Sequence, residues 1–180
     1  MKVLAISGSL RRDSYNTQLL RTVQELAPES LEIELWDGLK VVPPYDEDDD
    51  VWPGPPAVAA LREAIAVADA VIFATPEYNH SIPGQLKNAL DWLSRPLETS
   101  PLRNKPVVVI GASQGAFGAA WAQAELRKVL KAIGARVLDE ELPVARVHTL
   151  TDFLEPLGDA LSGVVGRLGE AITERLKLGV

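Results

Sequence analysis

Hydroxyls, an amide and two arginines crowd the stretch Ser7-Gly8-Ser9-Leu10-Arg11-Arg12-Asp13-Ser14-Tyr15-Asn16-Thr17. It follows a short apolar run and leads into a helical pattern. That arrangement suits an anion. The first turn of a helix leaves backbone N–H groups unpaired and carries a partial positive charge, so phosphate binds there readily. Ser9, Ser14, Asn16 and Thr17 can add neutral hydrogen bonds, and Arg11 or Arg12 a charge-assisted one. Alternatively, Ser14 or Asn16 merely caps the helix and the arginines face water. Capping accounts for one such residue, not for five polar groups around one turn. Gly8 lacks the further glycines of G-x-G-x-x-G, and G-x-x-x-x-G-K-[ST] is absent, which argues against a dinucleotide-binding Rossmann domain and a P-loop NTPase. A terminal monophosphate held at its free end fits better.

Two further stretches carry chemistry. Thr75-Pro76-Glu77-Tyr78-Asn79-His80-Ser81-Ile82-Pro83-Gly84 has a proline near each end, which stiffens it. Its N–H groups suit a heteroaromatic edge, with Tyr78 near a ring face. The alternative makes Tyr78 an ordinary partly buried aromatic, and Glu77 a surface carboxylate or structural ion pair. His80, one of two histidines, reads as solvated or hydrogen-bonded rather than catalytic. The third stretch is Gly111-Ala112-Ser113-Gln114-Gly115. No Ser-His-Asp arrangement or nucleophile elbow is visible, so no residue is nominated as an acid–base catalyst. The acidic run 46–50 lacks the glycine and glutamate of a calcium loop and reads as solvated.

The elements that must position these loops alternate. Residues 3–6 form a continuous apolar run, a buried strand. A helix over about 16–26 follows, with Leu19, Leu20, Val23 and Leu26 on one side, and Pro28 stops it. Leu31, Ile33 and Leu35 alternate with Glu32 and Glu34, an edge strand. A long loop over 37–56 holds Pro43, Pro44, Pro53, Pro55 and Pro56. Helix 56–68, strand 70–74 and helix 84–93 come next. Strand 107–110, helix 118–133 capped by Gly134, and a last strand 135–138 complete the alternation. The spacing of Leu154, Leu157, Leu161, Val164, Val165, Leu168, Ile172 and Leu176 predicts a final amphipathic helix. Its glycines at 158, 163, 166 and 169 lower its propensity, so it must rely on packing.

Strands alternating with helices imply an α/β fold, a doubly wound five-stranded parallel sheet of order 2-1-3-4-5 with helices on both faces. Ligands then bind beyond the carboxyl ends of strands 1 and 3, where loops 7–16, 75–83 and 111–118 converge. The length of 180 residues suits a single domain, 1–180. A net charge of −7 disfavours nucleic acid as the main partner, and no apolar run reaches membrane-spanning length. The absence of cysteine excludes disulfides, iron–sulfur ligation and thiol catalysis, and is compatible with the cytoplasm, the expected location.

Gly8-Ser9-Leu10-Arg11 with Ser14 and Asn16, then Thr75-Pro76-Glu77-Tyr78-Asn79, Ser81, Pro83-Gly84 and Leu86-Lys87-Asn88-Ala89-Leu90-Asp91-Trp92, resemble the NADPH-dependent FMN reductase family. The resemblance runs from the first strand to about residue 130. It implies a flavodoxin-like fold, non-covalent FMN, NADPH or NADH as co-substrate, and a homodimer or homotetramer. The acceptor would be a small molecule: quinone, free flavin, azo compound or a metal oxyanion such as chromate. Hydride would pass through flavin N5, so catalysis needs no protein acid or base. By resemblance, Ser9, Arg11, Asn16 and Thr17 hold the FMN phosphate with Ser14 nearby. Pro76, Glu77, Tyr78 and Asn79 line the isoalloxazine, and Ser113, Gln114 and Gly115 close its other side. The chain departs from the pattern at Gly115-Ala116-Phe117-Gly118-Ala119-Ala120, which is poorer in glycine than in many relatives. Phe117 either narrows the space over the ring or packs in the core. The rival reading is a flavodoxin-type electron carrier without a nicotinamide site.

Overall fold

The computed structural model describes residues 1–51 and 54–178, with the side chain of Leu154 also left aside; Pro53 of the long loop lies outside the described residues. Six strands and five α-helices follow one another as β1 (Lys2–Ser7), α1 (Tyr15–Leu26), β2 (Glu32–Trp36), α2 (Pro56–Val67), β3 (Ala70–Ala74), α3 (Gly84–Leu93), β4 (Pro106–Ala112), α4 (Ala120–Ile133), β5 (Arg136–Val137), β6 (Pro143–Val144) and α5 (Leu154–Leu178). The strand order is β2-β1-β3-β4-β5, all parallel, with β6 also on β4. This is the expected flavodoxin-like order.

The continuous apolar strands are explained by their burial. Successive side chains of a strand point to opposite faces. Leu4 and Ile6 enter one core with Phe73 and Val109, beneath α2, α3 and α4. Val3 and Ala5 enter the other with Ile72 and Val108, beneath α1 and α5. Both faces are covered, so no polar alternation is possible in β1, β3 or β4. At the edge, β2 reads apolar and charged in turn, as Ile33 is buried and Glu32 exposed. Helix α5 buries Leu161, Val164, Val165, Leu168 and Ile172 on that second face. Packing thus offsets the weak propensity of its glycines.

One expectation needs correction. The last strand is not a single segment at 135–138. The two-residue β5 pairs with the start of β4 (Pro106↔Arg136, Val107↔Val137), and a second short strand, β6, pairs with its end (Gly111↔Pro143, Ala112↔Val144). Between them lies Asp139-Glu140-Glu141, whose charges cannot enter the sheet. Arg167 and Arg127 hold Glu140 and Glu141 by ion pairs instead. The long edge beside β4 is thereby interrupted, which also discourages edge-to-edge pairing.

A buried cation closes the opposite end of the sheet. Lys105 is 3% exposed, and its Nζ donates to the carbonyls of Ile65 (2.7 Å), Ala66 (3.1 Å) and Ala68, the last turn and cap of α2. Burial and Arg175 push its pKa down to about 8 while Asp69 opposes them, so it remains charged at neutral pH. Lys105→Met keeps the stem and removes all three hydrogen bonds. Urea titration of the variant should show a loss of about 1–3 kcal/mol; unchanged stability would mean these carbonyls find other partners.

Candidate flavin site

The carboxyl ends of β1, β3 and β4 stand level. Ser7 is in register with Ala74, and Ala74 with Ile110. The Gly8 N–H continues this ladder to the Ala74 carbonyl (2.8 Å), and the Thr75 N–H to Ile110 (3.0 Å). Three loops leave the sheet at this level and surround a cleft of about 490 Å³. The first loop contributes Ser9, Arg11, Ser14, Tyr15 and Asn16, the second Pro76, Glu77 and Tyr78, and the third Ala112, Ser113, Gln114 and Gly115. The size suits a small-molecule or cofactor site.

The first loop is held from within. Ser14 is the N-cap of α1, and its Oγ accepts from the Thr17 N–H (3.3 Å). Thr17 Oγ1 donates to Ser7 Oγ (3.0 Å), and the Arg11 N–H donates to Ser9 Oγ (3.4 Å). Among the described residues, the Tyr15 and Asn16 N–H groups have no hydrogen-bond partner. They are the unpaired donors of the first helical turn, on two residues that line the cleft. Arg11 is exposed, forms no ion pair among the described residues, and stands over the Tyr15 ring at 5.0 Å from its centroid. That contact keeps the guanidinium at the mouth of the cleft without neutralising it.

Asn16 lines the cleft and also has a partner inside the protein. The residue is 3% exposed, and both ends of its amide bond one residue of β4. Nδ2 donates to the Ala112 carbonyl (3.0 Å) and Oδ1 accepts from the Ala112 N–H (2.9 Å). The side chain ties α1 to the third loop, and its second Nδ2 N–H, like the backbone N–H, has no partner among the described residues. The sequence signal was ambiguous because an amide at a helix start serves either purpose.

The second loop is a tight turn. Tyr78 and Ser81 exchange backbone hydrogen bonds of 2.9 and 3.0 Å. Asn79 and His80 between them have φ of 53° and 61°, both positive as a type I′ turn requires. Asn79 is therefore at the exposed tip of the turn, next to Tyr78, which lines the cleft. Tyr78 is 52% exposed and keeps a free ring face at the cleft.

Glu77 lines the cleft, and its carboxylate also closes a helix. Oε2 accepts from the N–H groups of Trp121 (3.1 Å) and Ala122 (3.2 Å) at the start of α4. The N-cap of that helix is Ala119, with φ 61° and no oxygen to offer. A carboxylate from another loop supplies what the cap cannot. The missing Ser, Thr, Asp or Asn at this helix start is the signal that an outside acceptor was needed. Oε1 lies 3.7 Å from His80 Nδ1.

The third loop rests on β6. Ser113 N–H donates to the Val144 carbonyl (3.0 Å), and Arg146 N–H to the Gly115 carbonyl (2.9 Å). Ser113 Oγ accepts from the Gly115 N–H (2.9 Å). Gly118 has φ 57°, and a Cβ there would come within 2.4 Å of the Pro143 carbonyl carbon. Only glycine lets the chain pass this close. Phe117 is 62% exposed and packs edge-to-face with Trp121, ring centroids 4.8 Å apart, so it does not pack in the core.

Unpaired helix-start N–H groups, an unneutralised arginine and an open slot beside an aromatic ring fit a phosphate attached to a flat ring system. The comparisons with known proteins agree. The family model described as NADPH-dependent FMN reductase matches residues 1–149. An NAD(P)H-dependent FMN reductase of Pseudomonas aeruginosa is 42% identical over 180 residues, covering 100% of this chain and 95% of the relative. A quinone reductase of Escherichia coli K12 is 43% identical over 141 residues, covering 78% of this chain and 74% of the relative. Among solved structures, the flavoenzyme NAD(P)H:(acceptor) oxidoreductase FerB from Paracoccus denitrificans superposes with a TM-score of 0.83 at 36% identity, covering 96% and 97% of the two chains. The motifs, the strand order, the three-loop cleft and these likenesses lead to one conclusion: this chain belongs to the NADPH-dependent FMN reductase family.

Proposed function

We propose that this chain is an FMN-dependent NAD(P)H oxidoreductase acting on a small acceptor, with quinones the leading class. The observation that carries the reading is the three-loop cleft, where unpaired N–H groups and Arg11 meet an open slot beside Tyr78. Bound FMN would supply the chemistry, accepting hydride from the nicotinamide and passing two electrons to the acceptor. The protein supplies position and electrostatics. Ser9, Arg11, Ser14 and Thr17 shape the phosphate cradle, and the Tyr15 and Asn16 N–H groups donate into it. Pro76, Glu77 and Tyr78 border the ring from one side, with Asn79 holding the turn behind them. Ser113, Gln114 and Gly115 border it from the other. The carboxylate of Glu77 is occupied by α4, so it serves as a positioning group rather than an acid or base.

A homodimer or homotetramer is part of this proposal. Tyr78, Phe117 and Trp121 are 52%, 62% and 44% exposed, and Trp121 packs edge-on against both Phe117 and His80, which shares the tight turn with Tyr78. Clustered aromatics at a surface are typical of an interaction face. Among the described residues, no helix is long and apolar enough to cross a membrane.

The purified protein should be yellow, release FMN on denaturation, and oxidise NADPH or NADH when a benzoquinone is added. An acceptor panel run with both nicotinamides would rank the substrates. A colourless protein that cannot be reconstituted with FMN would overturn the reading. A yellow protein inert to both nicotinamides would instead be an electron carrier.

A further inference from the structure

A second cleft of about 390 Å³ lies across the first loop, over the carboxyl ends of β1 and β2. It shares Ser9 and Arg11 with the flavin cleft, so the two meet at the cradle. Its walls carry Arg11, Arg12, Arg21 and Lys40, all exposed. None of these four cations has an ion-pair partner among the described residues. The only carboxylate in the lining is Asp37. That concentration runs against the net charge of −7 of the whole chain. A random scatter of charge on so acidic a surface would give these cations acidic neighbours.

The fold places them together. Thr17 and Arg21 are four residues apart on α1 and so share one face, one turn from the other. Trp36 pairs in register with Ile6, which brings Asp37 to the level of Ser7, beside the cradle. Lys40 follows in the 3-10 turn Gly38–Val41. An acidic residue at the end of the strand next to β1 is where dinucleotide-binding sheets hold the ribose hydroxyls of adenosine. Here that position combines a ribose acceptor, Asp37, with cations for phosphate.

We propose that this second cleft is a phosphate subsite for the adenosine-phosphate half of a dinucleotide. Arg12, Arg21 and Lys40 hold phosphate oxygens, and Asp37 accepts from the ribose. The inference rests on the flavin reading, because the cradle fixes where the second cleft begins. Two molecules carry this chemistry. The ADP half of FAD would continue outward from a flavin phosphate in the cradle. The adenylate of NADPH would arrive from the nicotinamide donor.

The test uses the FMN-loaded protein and its Arg21→Gln/Lys40→Gln variant, with ADP as the probe in calorimetry. Both side chains are exposed, so the fold should tolerate the change. Saturable ADP binding to the wild type, weakened about tenfold in the variant with FMN affinity within about twofold, is the expected result. Two further measurements identify the source. FAD bound more tightly than FMN by wild-type apoprotein, with the advantage lost in the variant, assigns the cleft to the flavin. A KM for NADPH raised about tenfold at unchanged kcat assigns it to the donor. No ADP binding, or equal binding by both proteins, overturns the proposal. So does an FMN loss as large as the ADP loss, which would make the cleft an outer wall of the flavin cradle. ADP binding with neither source affected overturns the assignment to a dinucleotide. Failure of the wild type to bind FMN would count against the flavin reading and is scored separately.

Discussion

Arg11→Ala should weaken FMN binding about 10- to 150-fold while leaving riboflavin binding within about twofold. The size follows from one charge-assisted hydrogen bond to phosphate, about 1.5–3 kcal/mol. The selectivity follows from position. Arg11 stands beside the start of α1 at the cleft, and among the described residues its one aromatic contact is Tyr15, next to that helix start. Riboflavin carries the ring and ribityl chain without the phosphate, so it reads every other contact. Arg11→Lys should fall between, because an ammonium keeps the charge and loses the planar fork. Fluorescence titration of apoprotein with both ligands measures the difference. Equal losses for FMN and riboflavin would remove Arg11 from the phosphate and place its effect in the ring slot.

Asn16→Ala should be the most destabilising single change in the site, costing about 2–4 kcal/mol. Both hydrogen bonds to Ala112 disappear, and a buried N–H and a buried carbonyl are left unpaired. For a chain of this size the melting temperature should drop on the order of 10 °C. Asn16→Asp separates the two roles of the position. The carboxylate still accepts from the Ala112 N–H, but its second oxygen faces the Ala112 carbonyl and adds negative charge beside the cradle. It should lose stability and also lose more FMN affinity than the alanine variant. Calorimetric melts of apoprotein and FMN titrations of all three proteins check this. An Asn16→Ala protein with wild-type stability and no FMN affinity would make the phosphate, rather than Ala112, the main partner of the side chain.

The same logic shows what kind of information a sequence carries. Val3 to Ile6, Ala70 to Ala74 and Val107 to Ile110 are legible as buried strands because burial on two faces leaves no polar position in the run. Gly134 is legible as a helix cap because φ of 93° is open to glycine and strained for other residues. The edge position of β2 is legible from Glu32 and Glu34. By contrast, β6 carries two residues, Pro143 and Val144, too few for any periodicity. It exists because β4 extends beyond β5 and offers unpaired backbone at Gly111 and Ala112. That demand arises on a different strand, so no local pattern at 143–144 announces it.

The site divides along the same line. The residue types of the first loop, with the family resemblance carried by the Pro76-Glu77-Tyr78-Asn79 block, were enough to point to a phosphate-bearing ring at the end of a parallel sheet. Those types set the local chemistry: donors at a helix start, a cation, an aromatic face. Tertiary structure alone decided how each polar group is used. Asn16 was free to face a ligand or the protein until Ala112 came within 2.9 Å of its Oδ1. Glu77 was free to face a flavin or solvent until α4 arrived with an uncapped end. A polar side chain carries hydrogen-bonding capacity wherever it stands, and its partner is fixed only when distant segments are packed against it.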